Sequence, residues 1–158
     1  MPKPDSTVEQ RLARLRQKLP SAPLPVGAYA PFVRTGNLLF LAGQIPVRGG
    51  KPLAAGRLGS EMTARESAEI VRAATMNALA IIKSAVGDLD RVVRVVKLTG
   101  YVASAPGFTD QASVLNHASK LLVAAFGERG RHARVAVGVA ELPLGVPVEI
   151  ELVVEVEP

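Results

Sequence analysis

The chain has no cysteine, no tryptophan, two tyrosines and four phenylalanines, and only two histidines. Without cysteine there is no disulfide, no thiolate metal site and no thiol nucleophile. The histidines, His117 and His132, have no acidic or histidine partner at ligand spacing, so no metal site is expected. No G-x-S-x-G elbow is present, no G-x-x-x-x-G-K-S/T phosphate loop, and no spaced glycine fingerprint after a strand. These absences argue against an elbow-type serine hydrolase, a P-loop nucleotide site and a dinucleotide domain. No apolar run approaches the roughly 20 residues of a membrane span. The polar N-terminus lacks the apolar core of a signal peptide, which leads us to expect a soluble, cytoplasmic protein.

What remains is an aliphatic protein. The 158 residues are 48% hydrophobic but only 4% aromatic, enough for one domain with a core of Val, Leu, Ile and Ala. The net charge is +5, yet residues 1–19 hold five cations (Lys3, Arg11, Arg14, Arg16, Lys18) against Asp5 and Glu9. Most of the excess therefore sits in one short arm, with no aromatic side chains on which bases could stack. A nucleic-acid partner is not expected.

Residues 6–18 read as an amphipathic helix with Val8, Leu12, Leu15 and Leu19 on one face, followed by a proline-rich connector over Pro20–Pro25. We divide the chain into this arm, 1–24, and a domain, 25–158. The domain opens with a hairpin, Ala28–Arg34 and Leu38–Gly43, turning at Thr35-Gly36-Asn37. A glycine- and proline-rich loop covers 46–60. Thr63-Ala-Arg-Glu66 is a capping-box pattern for a helix running to about Val86, with Gly87 placed to end it. A strand at Arg91–Ala103, a helix from Thr109 or Asp110 to Gly127, and strands at Ala133–Ala140 and Pro147–Val156 follow. The order implies an α+β fold, a mixed sheet with two helices on one face. The alternation in the last two strands predicts an opposite face of small and acidic side chains, suited to contact with another subunit.

Two residues on those strands stand out. The Arg134 guanidinium can hold a small carboxylate through a two-pronged hydrogen bond, and the Glu149 carboxylate can move a proton on or off water. If the two strands pair antiparallel about a turn at Leu142–Val146, Arg134 faces Val154 and Glu149 faces Val139, so the two are not direct neighbours. They would then meet across a subunit boundary or through a ligand. Asn77 and Asn116 lie on helices, where each is read as a satisfied polar residue. Tyr29 is either ordinary packing or a hydroxyl at a strand end.

Three motifs in order, Gly27-Ala-Tyr29, Gly36-Asn37…Ala42-Gly43-Gln44-Ile45-Pro46, and Arg134…Leu142-Pro143…Val148-Glu149-Ile150-Glu151, strongly resemble the reactive intermediate deaminase family, RidA or YjgF. The resemblance runs from about Pro25 to Val156. It implies a chorismate-mutase-like fold and a homotrimer whose sheets form a central barrel, with clefts between subunits. It further implies hydrolysis of 2-imino or 2-enamino acids to 2-keto acids and ammonia, without metal or organic cofactor. By the motifs, Arg134 is the carboxylate clamp and Glu149 the group that handles water. Tyr29 and Gly43 would line the cleft, with the Ala136 backbone and Asn116 also contributing. The small 2-imino or 2-keto acid would sit at the subunit interface. The chain departs from relatives at Ala42, where many have serine, at Ala136, where some have cysteine, and in its N-terminal helix, which marks a distinct branch. The alternatives are a non-catalytic trimer that binds small carboxylates, and the endoribonuclease (L-PSP) or translation-inhibitor role that the family name has also carried.

Overall fold

A computed structural model describes residues 6–158. Lys3 and Asp5 of the basic arm lie outside the described residues. A five-stranded mixed sheet carries the domain, in the order β1-β2-β7-β5-β6. Its strands are β1 (Phe32–Thr35), β2 (Leu38–Leu41), β5 (Val92–Ala103), β6 (Ala133–Val139) and β7 (Val148–Val156). A small ribbon, β3 (Val47–Arg48) with β4 (Lys51–Pro52), lies apart. The helices are α1 (Val8–Arg14), α2 (Ala68–Val86) and α3 (Gln111–Phe126).

Local chemistry accounts for most boundaries. Thr35 pairs with Leu38, leaving Gly36-Asn37 as the turn, with Gly36 at φ 56°. Between β3 and β4, Gly49 and Gly50 have φ 57° and 76°, the doubly positive turn that fits the twist of a two-residue hairpin. The Thr63–Glu66 box forms both reciprocal bonds, Thr63 N–H to Glu66 Oε2 at 2.8 Å and Glu66 N–H to Thr63 Oγ1 at 3.3 Å. These bonds close a turn, and the regular helix begins at Ala68. Gly87 ends it at φ 83°, its N–H reaching Lys83 O at 2.7 Å.

Three expectations are corrected. β6 and β7 are not neighbours, because β5 lies between them, parallel to β6 and antiparallel to β7. Helix α3 supplies the long crossover that a parallel pair requires. Helices α2 and α3 cover the sheet face and α1 packs on α3, but α1 is shorter than the 6–18 expected from its periodicity. Helix α1 stops at Arg14, since Leu15 accepts the cap position and Arg16 turns left-handed at φ 56°. Leu15 is left exposed, while Val8 and Leu12 are fully buried. The α1 backbone is tied down by Val8 N–H to Asp90 Oδ1 at 3.1 Å, and Arg11 Nη1 donates to Ala125 O at 3.3 Å.

The third correction concerns the faces of β6. Val135 and Val137 are 41% and 38% exposed on the open face, while Arg134, Ala136 and Gly138 turn toward α3. The reason is clearance. Leu115 of α3 sits over Gly100, where a Cβ would overlap the leucine side chain. A Cβ at Gly138 would likewise crowd the Gln111 amide and Ser104 hydroxyl. Small residues let the helix approach, and the valines take the other side.

Among the described residues no helix is long and apolar enough to cross a membrane. The core beneath the helices is aliphatic, built on Leu39, Leu79, Ile81, Leu98, Leu122, Ile150 and Leu152. Because Leu12 is 1% exposed and belongs to this core, Leu12→Ala should cost about 2–5 kcal/mol in urea unfolding. A loss under about 0.5 kcal/mol, the range of ordinary surface substitutions, would show that α1 is not part of the folded unit.

Candidate functional site

Arg134 lies near the start of β6, the edge strand, opposite Leu98 of β5. Leu98 is buried under the helices, so the guanidinium rises on that side and meets α3. Its Nη1 donates to Asn116 Oδ1 at 2.8 Å and to Ser119 Oγ at 3.2 Å. Asn116 and Ser119 are three apart and share a helix face. Both Nη1 hydrogens are thereby used. Among the described residues Nε and Nη2 have no partner, leaving a planar fork of the kind that grips a carboxylate. Ala136 is on the same side of the strand, opposite Gly100.

Glu149 lies on the opposite face of the sheet. It pairs with Tyr101, and its neighbours Val148 and Ile150 are the ones that point into the core. The Gln44–Ile150 bridge, with N···O distances of 2.7 and 3.0 Å, brings the chain after β2 alongside β7. This puts Gly43 directly against the Glu149 carboxylate. A Cβ at position 43 would overlap Oε1, so glycine here is a matter of space. Partial burial, and then the charge of Glu151, push the Glu149 carboxyl above its ordinary range. Burial followed by Glu151 and Glu149 also pushes the Tyr101 hydroxyl upward, and Tyr101 donates to Glu151 Oε1 at 3.3 Å. Glu149 thus holds its proton more readily than a free carboxyl group does.

One chain therefore brings the six residues singled out by sequence into two groups and a remainder. Arg134, Asn116 and Ala136 are together above the sheet, and Glu149 and Gly43 are together below it. Tyr29 belongs to neither. It is 51% exposed, and its hydroxyl accepts the Val26 N–H at 3.4 Å. Asn77 is the satisfied polar residue expected of it, donating to Ile45 O at 3.1 Å and Val47 O at 3.0 Å.

Sequence reasoning passed over Ser119 and weighed His132 only as a metal ligand. His132 Nε2 is 2.9 Å from Ser119 Oγ, and its Nδ1 is 2.6 Å from Gly130 O. The signal was present: Asn116 and Ser119 at helical spacing, and His132 two residues before Arg134 on the same strand side. Among the described residues no three His, Asp or Glu side chains converge as a metal site would require.

The raised Glu149 carboxyl makes a testable statement about stability. Its folded form binds a proton more tightly than the unfolded chain, whose ordinary value is 4.5. Stability from this group is therefore complete at low pH and is lost as pH rises through the folded value. Glu149→Gln should leave the melting temperature nearly unchanged at about pH 4 and raise it at about pH 8. A melting scan showing equal effects at both values would contradict the burial of this carboxyl.

Known proteins place the chain. The family described as "YjgF/chorismate_mutase-like, putative endoribonuclease" matches residues 9–156. Protein TCP17 of Trypanosoma cruzi is 44% identical over 149 residues, 94% of this chain and 93% of that protein. A solved structure from Shewanella oneidensis, described as "a putative endoribonuclease", superposes with a TM-score of 0.92 at 34% identity, covering 96% of this chain and all of that one (100%). A 2-iminobutanoate/2-iminopropanoate deaminase of Dermatophagoides farinae is 28% identical over 138 residues, 87% of this chain and 93% of its own. TdcF of E. coli, solved with bound serine, is 26% identical with a TM-score of 0.62, covering 87% of this chain and 94% of its own. With the family match spanning nearly the whole sequence, all of α1 after Val8 included, this chain belongs to the YjgF/chorismate mutase-like family.

Proposed function

We propose that the protein hydrolyses small, reactive 2-imino and 2-enamino acids to 2-keto acids and ammonia. The observation that carries this reading is the Arg134 guanidinium, fixed on one edge by Asn116 and Ser119 and unclaimed on the other. Such a fork suits a planar carboxylate. The raised carboxyl of Glu149 suits proton transfer to and from water, a contribution of roughly 10²–10⁴-fold in general acid–base catalysis. The deaminase among the relatives supports the same chemistry.

In the proposed reaction the imine nitrogen is protonated, making C2 electrophilic. Water adds to C2 and loses a proton. After a second proton reaches nitrogen, the hydroxyl gives up its remaining proton as the C–N bond breaks, so that ammonia leaves and the keto group forms. Arg134 holds the substrate carboxylate throughout, and Glu149 passes the protons. Because one chain keeps these two residues on opposite faces of its sheet, the reading requires a cleft between copies, with Arg134 from one and Glu149 from another. A homotrimer built on the open sheet face is the proposed assembly. The exposed Tyr29 is available to the same cleft.

A second reading is a carboxylate-binding trimer without turnover. It is favoured by the relative solved with bound serine, and by the fact that the Arg134 fork is assembled without any part of Glu149.

The test is release of keto acid from 2-iminopropanoate, generated in situ by an amino-acid oxidase with semicarbazide competing for the imine. Wild type should accelerate hydrolysis, and Arg134→Ala should reduce the acceleration at least about tenfold, as loss of a charged hydrogen-bonded contact requires. The sedimentation mass should remain that of three 16.6 kDa chains in both. Acceleration unchanged in Arg134→Ala would remove the clamp. No acceleration by wild type with alanine-, leucine- or methionine-derived imines, together with retained serine or keto-acid binding, would favour the binder.

A further inference from the structure

Ser119 and His132 form a directed chain of hydrogen bonds that ends on Arg134. Gly130 O is a carbonyl and only accepts, so the 2.6 Å contact requires the proton on His132 Nδ1. In the neutral ring, Nε2 is then bare. It accepts, and the hydroxyl 2.9 Å away must donate to it. With its single hydrogen committed to His132, Ser119 Oγ presents lone pairs to the other side. Arg134 Nη1 fills one at 3.2 Å, while its second hydrogen goes to Asn116 Oδ1 at 2.8 Å. Every donor along the chain has an acceptor, and the direction is set from the Gly130 carbonyl outward.

We propose that Ser119 and His132 are positioning residues. They lock rotation of the Arg134 guanidinium so that its Nε–Nη2 edge alone is offered to a carboxylate. The proposal deepens the functional reading above and rests on it for the identity of the ligand. It makes a geometric statement that the clamp alone does not. With both Nη1 hydrogens held by α3, an end-on grip through Nη1 and Nη2 is unavailable, and the carboxylate docks side-on. Released from Ser119, the guanidinium is held at Nη1 by Asn116 alone. Its two Nη groups can then exchange by turning about Nε–Cζ, and the plane can swing about the side chain's single bonds, so that it meets the ligand in several geometries. The cost of that freedom falls on binding before it falls on chemistry. His132 acts only through Ser119, and Ser119 only through Arg134.

The lock is read directly by ¹⁵N NMR of the arginine side chains, with the Arg134 signals assigned by their absence in Arg134→Lys. Hindered rotation about Nε–Cζ gives two resolved Nη resonances, and free rotation averages them. Wild type and His132→Gln, which keeps an acceptor for Ser119, should show two. Ser119→Ala and His132→Phe should show one averaged signal. Pyruvate serves as a stable 2-keto acid probe. Its Kd should rise roughly two- to tenfold in the two disrupting variants, the equivalent of one net hydrogen bond, and stay near wild type in His132→Gln. Methyl pyruvate, lacking the carboxylate, should not discriminate among them. If His132→Phe does not fold, Ser119→Ala carries the test, since it removes one oxygen from a helix position.

Resolved Nη signals in every variant would overturn the proposal, as would equal loss of pyruvate binding in His132→Gln and His132→Phe, which marks simple packing. A wild type that binds no pyruvate also overturns it. A wild type that shows the lock and the pyruvate pattern but hydrolyses no imine refutes only the reaction proposed above.

Discussion

Strand β5 hydrogen-bonds to β6 on one side in parallel and to β7 on the other in antiparallel, and that double pairing fixes where Arg134, Ala136 and Glu149 point. Leu98 sits between Arg134 and Leu152, and Tyr101 between Val137 and Glu149. Leu98 is buried and Tyr101 looks onto the open face, so the alternation of one strand sends the guanidinium up and the carboxylate down. A slip of one residue in the β5–β7 pairing would turn Glu149 over and expel Val148, Ile150 and Leu152 to solvent, and one in the β5–β6 pairing would turn Arg134 away and drive Val135 and Val137 against α3. The hydrophobic face that stabilises the sheet thus enforces the placement of the polar groups.

The upper group depends on a second constraint, the close approach of α3. Gly100, Ala136 and Gly138 form a patch with little or no side chain, beneath the helix that carries Asn116 and Ser119. Larger residues there would lift α3 from the sheet and stretch the 2.8 and 3.2 Å contacts to Arg134 beyond hydrogen-bond range. Four other arginines are occupied with backbone carbonyls. Arg11 holds Ala125, Arg91 holds Val86 and Pro158, Arg129 holds Asp90 and Val92, and Arg34 holds Gly36 and Glu157. These arginines staple chain ends and turns.

Sequence made the elements legible and left their neighbours obscure. The hairpin at Gly36-Asn37, the end of α2 at Gly87 and the faces of β7 rest on local rules, and each is found where the residues indicate. Strand order does not follow from such rules. Alternation says which side of a strand is apolar, and it is silent on which strand lies beside it. The assumption that consecutive strands β6 and β7 pair was the natural one, and the long crossover through α3 displaced it. The faces of β6 were misjudged for a related reason. Valines ordinarily mark the buried side, but here the helix needs clearance and the alanine–glycine side faces it. The pairing of Ser119 with His132 escaped notice because they are 13 residues apart in sequence and meet only once α3 lies over β6.

The separation of Arg134 from Glu149 has an electrostatic meaning of its own. Had the two shared a face at contact distance, the guanidinium would have drawn the carboxyl toward lower pKa and filled its own fork with the carboxylate. A paired arginine has no edge left for a ligand, and a paired carboxylate is a poor proton carrier near neutrality. With a sheet between them, each keeps the property the proposed chemistry needs. The fork stays open, and the carboxyl, near Glu151 and partly out of water, stays raised. In a cleft formed by two copies, an anionic substrate would lie between the groups and satisfy the fork itself. Glu149 would then meet the arginine's charge already neutralised. A site divided between copies is in this sense a way of keeping opposite charges apart until a carboxylate arrives to separate them.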